Sequence, residues 1–95
     1  MNKYEIMFIV RPDMEEAEIK KTAETMKKVL TGAKAKILEE KSMGQKELAY
    51  EIKKFNTGYY YLFIVEASKE AEEEFNRVAR INENIIRHII VKVEE

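Results

Sequence analysis

The sequence has no cysteine, no tryptophan, one proline, three glycines and one histidine. Without cysteine the chain has neither a disulfide framework nor a thiolate nucleophile, as is usual for a protein of the reducing cytosol. A single histidine, His88, leaves no spaced ligand pairs for a zinc site. The glycines are Gly32, Gly44 and Gly58, which stand singly, so no glycine-rich loop is present to bind phosphate. The sequence therefore predicts no catalytic residues, no metal and no other cofactor.

Long hydrophobic runs and an excess of one charge are also lacking. The first apolar segment, Tyr4–Val10, begins almost at Met1 and contains Glu5, so it predicts neither a signal peptide nor a membrane span. The 95 residues are enough for one domain, spanning residues 1–95, but not for a large enclosed active site. Lysine and arginine number 17 against 18 acids, so net charge favours no class of partner. We expect a soluble intracellular protein without a membrane or small-molecule partner.

The first half of the chain reads as a strand, a helix and a long second strand. Tyr4–Val10 is apolar in both alternating sets, which predicts a central strand. Asp13 and Glu16 have the spacing of a capping box, and Gly32 is a suitable C-cap. The polar alternation from Lys34 to Lys41 predicts an edge strand that bends at Met43-Gly44 and continues through Leu48 to Ile52. The predicted buried stripe of the helix consists of Ile19, Ala23, Met26 and Leu30.

The second half repeats the pattern with a turn, a strand, a helix and a strand. Residues 54–58, Lys-Phe-Asn-Thr-Gly, predict the hairpin turn, because asparagine and glycine tolerate positive φ. Tyr59–Val65 is again apolar on both faces. Ser68 is a candidate N-cap for a helix that Asn82 and Asn84 end, before a last strand over Ile86–Val93. The buried stripe of this second helix is predicted to be Ala71, Phe75, Val78 and Ala79.

This order of elements predicts an α+β, ferredoxin-like βαββαβ domain, with a four-stranded antiparallel sheet and two helices on one face. The two apolar strands should lie in its middle. The other face of the sheet would then expose contiguous hydrocarbon, which usually marks a protein contact. By alternation, this predicted partner face carries Met7, Ile9, Tyr60, Leu62, Ile64, Ile89 and Val91.

Three segments carry a resemblance to a known family: Tyr4-Glu5, residues 44–60 with the sequence LAYEI at 48–52, and residues 80–92, RINENIIRHIIVK. They resemble the family of the sixth ribosomal protein of the bacterial small subunit, in the same order and nearly end to end. The resemblance implies a ferredoxin-like fold and a structural role in the cytoplasmic ribosome. It also implies binding to the central domain of 16S ribosomal RNA, in cooperation with the eighteenth small-subunit protein, and no catalysis.

RNA affinity comes largely from lysine and arginine contacts to phosphates. Arg80 and Arg87 stand at positions that match the family pattern, and each can contact phosphate or stack on a base. The chain departs from the family at Met43, where tryptophan is common, and at Glu47, where a second basic residue is common. Glu47 weakens the expectation of phosphate contact there. The candidate RNA-binding residues are Lys3, Lys46, Lys53, Lys54, Arg80, Arg87, His88 and Lys92.

Other readings of the same topology stay open at this point. The aromatic run 59–61 faintly resembles the stacking strand of RNA-recognition domains, although no basic residue precedes Gly58. Small phosphatases of this fold need an arginine and an asparagine in a glycine-containing loop, where this chain has Arg11-Pro12-Asp13. The main alternative is a dimerising or ligand-sensing regulatory module. Such a module would self-associate through the open sheet and bind structured RNA poorly.

Overall fold

The computed structural model describes residues 1–93 and contains the six predicted elements in the predicted order. The antiparallel sheet has the strand order β2-β3-β1-β4, so the two strands that are apolar on both faces are central and the other two are edges. The ferredoxin-like prediction is confirmed. The elements are β1 (Asn2–Val10), α1 (Glu16–Gly32), β2 (Lys36–Ile52), β3 (Phe55–Ala67), α2 (Lys69–Ile81) and β4 (Ile85–Val93).

The core lies between the sheet and the two helices, with Phe8 at its centre. The Phe8 ring stacks on Tyr61 at 5.3 Å between centroids and meets Phe63 edge-on at the same distance. Phe75 of α2 packs against Phe8 at 6.0 Å. The predicted stripe of α1 is buried, as are Ala71, Phe75 and Ala79 of α2, whereas Val78 is only half-buried. Helical periodicity thus predicted which faces of α1 and α2 pack on the sheet, because apolar residues at helical spacing form one stripe that must leave water.

The predicted capping box at the start of α1 is wrong. The helix begins at Glu16 after Glu15, which makes no side-chain cap bond. Asp13 is instead held by Arg11, whose Nε and Nη2 donate to its two carboxylate oxygens at 2.7 and 2.9 Å. This bidentate hydrogen bond lowers the pKa of Asp13 and holds its side chain on Arg11, two residues before the N-cap position. At α2 the predicted cap is confirmed, because Ser68 Oγ accepts from the Ala71 N–H at 3.1 Å.

The turns also differ from the prediction. Gly32 is the last helical residue of α1, and the left-handed residue that follows is Lys34, at φ +66°. The β2–β3 turn is not the predicted segment 54–58. It consists of Lys53 and Lys54, at φ +50° and +71°, because Ile52 already pairs with Phe55. Positive φ at both central residues is the geometry of a type I′ turn, one of the two turn types that two-residue hairpins favour.

The bend predicted at Met43-Gly44 is confirmed. Gly44 has φ +77°, and the pairing of β2 with β3 shifts register between Ser42 and Gly44. A second, larger irregularity lies nearer the turn, between the pairs Glu47↔Thr57 and Ile52↔Phe55. There the β2 residues 48–51 stand opposite Asn56 alone. Such bulges bend a strand and redirect its side chains.

The Asn-Glu-Asn sequence that contributes to the family resemblance forms the junction between α2 and β4. Asn82 is the C-cap of α2, and its Oδ1 accepts from the Asn84 N–H at 2.9 Å. Asn84 Nδ2 donates to Thr22 Oγ1 of α1 at 3.2 Å, and the Asn84 carbonyl accepts from the Arg11 N–H at 2.9 Å. Asn84 therefore ties together the ends of β1 and α2, the start of β4 and the middle of α1.

We expect Asn84→Ala to lower the free energy of unfolding by about 1–2 kcal/mol, because it removes a partly buried hydrogen bond. Thr22 keeps its bond to the Glu18 carbonyl, which limits the loss. Urea unfolding measures the change. The exposed neighbour Glu83→Ala is the control and should change stability by less than about 0.5 kcal/mol. Equal effects at both positions would contradict the structural role of Asn84.

Candidate nucleic-acid and protein interfaces

The end of the β2–β3 hairpin presents three of the predicted RNA-binding lysines. Lys53 and Lys54 form the exposed turn itself, and their backbone geometry holds them at the tip. Lys46 is exposed further down β2, opposite Gly58. The hairpin end is therefore a basic projection suited to contacts with phosphate.

Arg87 of β4 joins this surface through an unexpected contact. Its Nη1 donates a hydrogen bond to the hydroxyl of Tyr50, which lies in the bulged part of β2. The two residues come from opposite edges of the sheet, so the hairpin must bend across the open face for them to meet. Arg87 pairs with Ile9 in the backbone register and is exposed. Its guanidinium has further donors beyond the one that Tyr50 uses.

Arg80 and His88 lie on the helix side. Arg80 is exposed in the last turn of α2, where its charge suits the helix dipole. His88 is half-buried against α2, with Nε2 2.5 Å from Asn76 Oδ1 and its ring edge-on to Phe75. Burial lowers the pKa of His88, and the nearby Arg80 charge lowers it further. The imidazole is therefore neutral at pH 7 and donates its Nε2 proton to Asn76.

This depressed pKa predicts a pH dependence of stability. Between the folded-state pKa of His88 and its ordinary value of 6.5, the unfolded chain binds more protons than the folded one. Stability should be fully present above that value and fall as the pH is lowered through the window. Urea midpoints at about pH 7.5 and about pH 5.5 test this. In His88→Gln the stability should decrease less between these two pH values than in the wild type, because no histidine is left to titrate. A wild-type decrease that persists unchanged in His88→Gln would assign it to other groups.

Lys3 and Lys92 lie at the other end of the molecule. Lys3 pairs with Glu66 on one side and Val93 on the other, and Lys92 pairs with Tyr4. The hairpin end adjoins Val10, which is about 23 Å along β1 from Lys3 at ~3.3 Å per residue. The candidate RNA-binding residues therefore fall into three groups and not one patch. The groups are the hairpin end with Arg87, the helix side with Arg80 and His88, and the far end with Lys3 and Lys92.

The open face of the sheet carries the apolar residues that alternation predicted. Met7 lies between Leu62 and Ile89 in the register, and Glu5 lies between Ile64 and Val91. Ile89 and Val91 are 39% and 53% exposed, and Met43 of β2 completes a shallow depression with Glu5 at its edge. Tyr60 and Ile64 are half-buried on this face.

Ile9 belongs to the same face but is only 6% exposed. Its Cγ2 fills the space where a side chain at position 58 would begin, and Ile86 also borders that position. Ile9 therefore packs into the base of the hairpin and presents almost no surface to a partner. The exposed part of the predicted partner face consists of Met7, Tyr60, Leu62, Ile64, Ile89 and Val91.

Sequence reasoning missed three features of these surfaces. Glu5 places a carboxylate among the apolar side chains of the open face. Its spacing of two residues from Met7 indicated this position, although the predicted face was chosen from apolar residues only. Arg11 lies over the Phe55 ring, 5.3 Å from Cζ to the centroid, and so fixes the base of the hairpin. Tyr50, in the strand predicted through Leu48 to Ile52, is 60% exposed and contacts Arg87. No local signal identified the last two, because both depend on contacts between distant parts of the chain.

In residues 1–93 no His, Asp and Glu side chains gather into a group of three that fits a metal ion. None of the described helices has the length and hydropathy needed to cross a bilayer. Every buried side-chain nitrogen or oxygen in the described region has a hydrogen-bond partner. The features that invite a ligand are therefore the basic hairpin end and the apolar open face.

This chain is similar over nearly its whole length to one family of known proteins. The family model for ribosomal protein S6 matches residues 3–92. Small ribosomal subunit protein bS6 from Halalkalibacterium halodurans is 50% identical, and that from Shouchella clausii is 47% identical, each over 95 residues that cover all of both chains. A crystal structure of 30S ribosomal protein S6 from Thermotoga maritima superposes with a TM-score of 0.93, at 33% identity, over 97% of this chain and 87% of that one. The chain therefore belongs to the ribosomal protein S6 family, whose members are structural proteins of the small ribosomal subunit and are not known as enzymes.

Proposed function

We propose that this chain binds the central domain of 16S ribosomal RNA together with the eighteenth small-subunit ribosomal protein. As a member of the ribosomal protein S6 family it has a structural role in the bacterial small subunit, and hence in the cytoplasm. The RNA would bind the hairpin end with Arg87 and the helix side with Arg80 and His88. The eighteenth protein would bind the open face of the sheet. Lys3 and Lys92 are kept as RNA contacts at the far end of the sheet.

The observation that carries this proposal is the presence of two neighbouring surfaces of different chemistry. The hairpin end is basic and projects from the domain, as a surface that neutralises phosphates would. The open face exposes Ile89 and Val91 beside Met7, and hydrocarbon in such a patch is normally covered by another protein. A protein that holds RNA and a second protein at once needs two surfaces of this kind. Cooperation requires in addition that the RNA and the eighteenth protein contact each other once both are bound, so that either partner raises the affinity for the other.

A titration against a central-domain fragment of 16S RNA, with and without the eighteenth protein, tests the proposal. We expect weak binding by this chain alone and tight binding with the partner, falling steeply between two salt concentrations. Arg80→Ala with Arg87→Ala should weaken RNA binding on the order of tenfold or more and reduce the salt slope. Ile89→Asp should instead weaken binding of the partner, because it buries a charge in an apolar contact.

Matched variants separate these effects. Lys28→Ala removes one positive charge from the exposed face of α1 and should leave RNA affinity nearly unchanged. Glu47→Ala should leave affinity equal or higher, because it removes an acid from the hairpin. Unchanged binding by the double arginine variant would refute this placement of the RNA surface. Self-association through the open face, without binding to RNA under either condition, would favour the dimerising module.

A further inference from the structure

The bulge in β2 holds Tyr50 in an unusual position. A regular strand would keep residues 48–51 paired with β3 at one edge of the sheet. Instead the bulge turns Tyr50 toward the opposite edge, where its hydroxyl accepts the hydrogen bond from Arg87. The side chain is nevertheless 60% exposed. The ring is thus fixed at its hydroxyl end and open to solvent over much of its surface.

Packing at the base of the hairpin supports this geometry. Arg11 lies over the ring of Phe55, which begins β3, and Ile9 occupies the space left by the absent side chain of Gly58. These contacts join the hairpin to the ends of the central strands independently of Tyr50. The hairpin end is therefore held in one place, and Tyr50 is presented there with little freedom to lose on binding.

The charges around Tyr50 select the class of ligand. Lys46, Lys53 and Lys54 are exposed on the same hairpin, and Arg87 touches the ring's hydroxyl. Glu47 and Glu51 are the exposed acids of this stretch, so positive charge predominates. Exposed aromatic rings beside cations are the usual means of holding unpaired RNA bases, with the ring stacking on the base and the cations contacting phosphate. A protein partner would instead favour the less charged apolar face around Met7.

We propose that Tyr50 and Arg87 together form a binding site for one unpaired nucleotide of RNA. The exposed face of the tyrosine ring stacks on the base, and the remaining donors of the guanidinium bind the adjacent phosphate. The hydrogen bond between them sets the separation of the two contacts. This inference rests on the proposed binding to ribosomal RNA and adds to it an aromatic contact that charge alone does not provide.

Three substitutions at Tyr50 test the role of the ring in the titration with the central-domain RNA fragment and the eighteenth protein. Tyr50→Leu should weaken RNA binding about tenfold, because stacking on one base is lost. Its salt slope should stay unchanged, whereas Arg87→Ala should reduce the slope by about 1. Tyr50→Phe keeps the ring and should bind within about threefold of the wild type. Tyr50→Trp should bind at least as tightly as the wild type.

Tryptophan also gives a direct optical readout, since the natural sequence contains none. The emission of Tyr50→Trp should be quenched when RNA binds, as stacking on a base requires. Lys28→Trp is the control, because Lys28 is exposed on α1, outside the proposed RNA contacts, and should show little quenching. Urea midpoints of all variants should match the wild type, since Tyr50 lies outside the core.

Distinct results would overturn the inference. Wild-type affinity in Tyr50→Leu, or an unquenched Tyr50→Trp, would exclude base stacking. Equal losses in Tyr50→Phe and Tyr50→Leu would show that the hydroxyl positions Arg87 and the ring does not bind a base. Loss of partner binding in the absence of RNA would assign the ring to the protein interface. If the wild type itself failed to bind RNA, that result would contradict the proposed function and, with it, the nucleotide site.

Discussion

Replacing Phe8 by alanine is expected to lower the free energy of unfolding by about 3–5 kcal/mol. Phe8 is fully buried and contacts the rings of Tyr61, Phe63 and Phe75. The substitution removes this aromatic packing and leaves a cavity that the sheet and α2 cannot close without losing their own contacts. Because small domains are stable by only about 5–15 kcal/mol, much of the margin would be lost. Urea or thermal unfolding followed by circular dichroism measures the change.

Phe55→Ala is the matched control for this experiment. It makes the same chemical change at a half-buried position near the turn, where Phe55 contacts Arg11 at the edge of the molecule. We expect a loss of about 1–2 kcal/mol there, because less apolar surface leaves water on folding. A cost at Phe8 no larger than at Phe55 would contradict the placement of Phe8 at the centre of the core.

The double substitution Lys53→Asn with Lys54→Gly is expected to have opposite effects on stability and on RNA binding. Both lysines occupy positive φ, where most L-residues are strained, and Asn-Gly is the sequence that a two-residue hairpin turn favours. The free energy of unfolding should rise by about 1 kcal/mol. Loss of two phosphate contacts should meanwhile weaken RNA binding on the order of 50-fold near 0.1 M salt and reduce the salt slope by about 2.

The control is Lys21→Ala with Lys28→Ala, which removes the same charge from exposed positions of α1. Its RNA affinity should stay within about threefold of the wild type, and its salt slope should not change. A loss of stability in the turn variant would contradict the positive φ of Lys53 and Lys54. Gained stability with unchanged RNA affinity would show that the turn lysines do not contact RNA.

The turn illustrates a conflict between local conformational preference and charge. Asparagine or glycine would relieve the backbone strain at positions 53 and 54, yet the chain has lysine at both. Strained backbone of this kind often lies at functional sites, where the side chain serves another requirement. If the double variant is more stable and binds RNA more weakly, Lys53 and Lys54 lower the stability of the turn and contact phosphate.

Sequence patterning predicted the order of elements, the central and edge strands and most of the buried positions. Strands with both faces apolar are typical of the middle of a sheet, where a strand pairs on both of its edges, which placed β1 and β3 there. Helical spacing predicted the buried stripe from Ile19 to Leu30 in α1. The cap at Ser68 follows because its hydroxyl accepts a hydrogen bond from a free N–H group at the start of α2. These features depend on residues close together in the chain, so periodicity is enough to find them.

Features that depend on a competing partner were predicted wrongly or missed. Asp13 has the right spacing for a cap, but Arg11 binds both of its oxygens. Residues 54–58 have favourable turn chemistry, but pairing of Ile52 with Phe55 moves the turn to Lys53 and Lys54. Ile9 alternates correctly onto the open face, yet the space left at Gly58 buries it. In each case an interaction set by the fold outweighed the local preference.

The sequence by itself therefore determined the fold class, the faces of the helices and the family of the protein. Apolar spacing fixes which surfaces must leave water, and few arrangements of these elements can satisfy that requirement. Tertiary structure alone decided how the candidate binding residues are grouped. The bulge in β2, the bend of the hairpin and the contact between Tyr50 and Arg87 join residues from opposite edges of the sheet. Such groupings depend on strand register and curvature, which residue spacing along the chain does not specify.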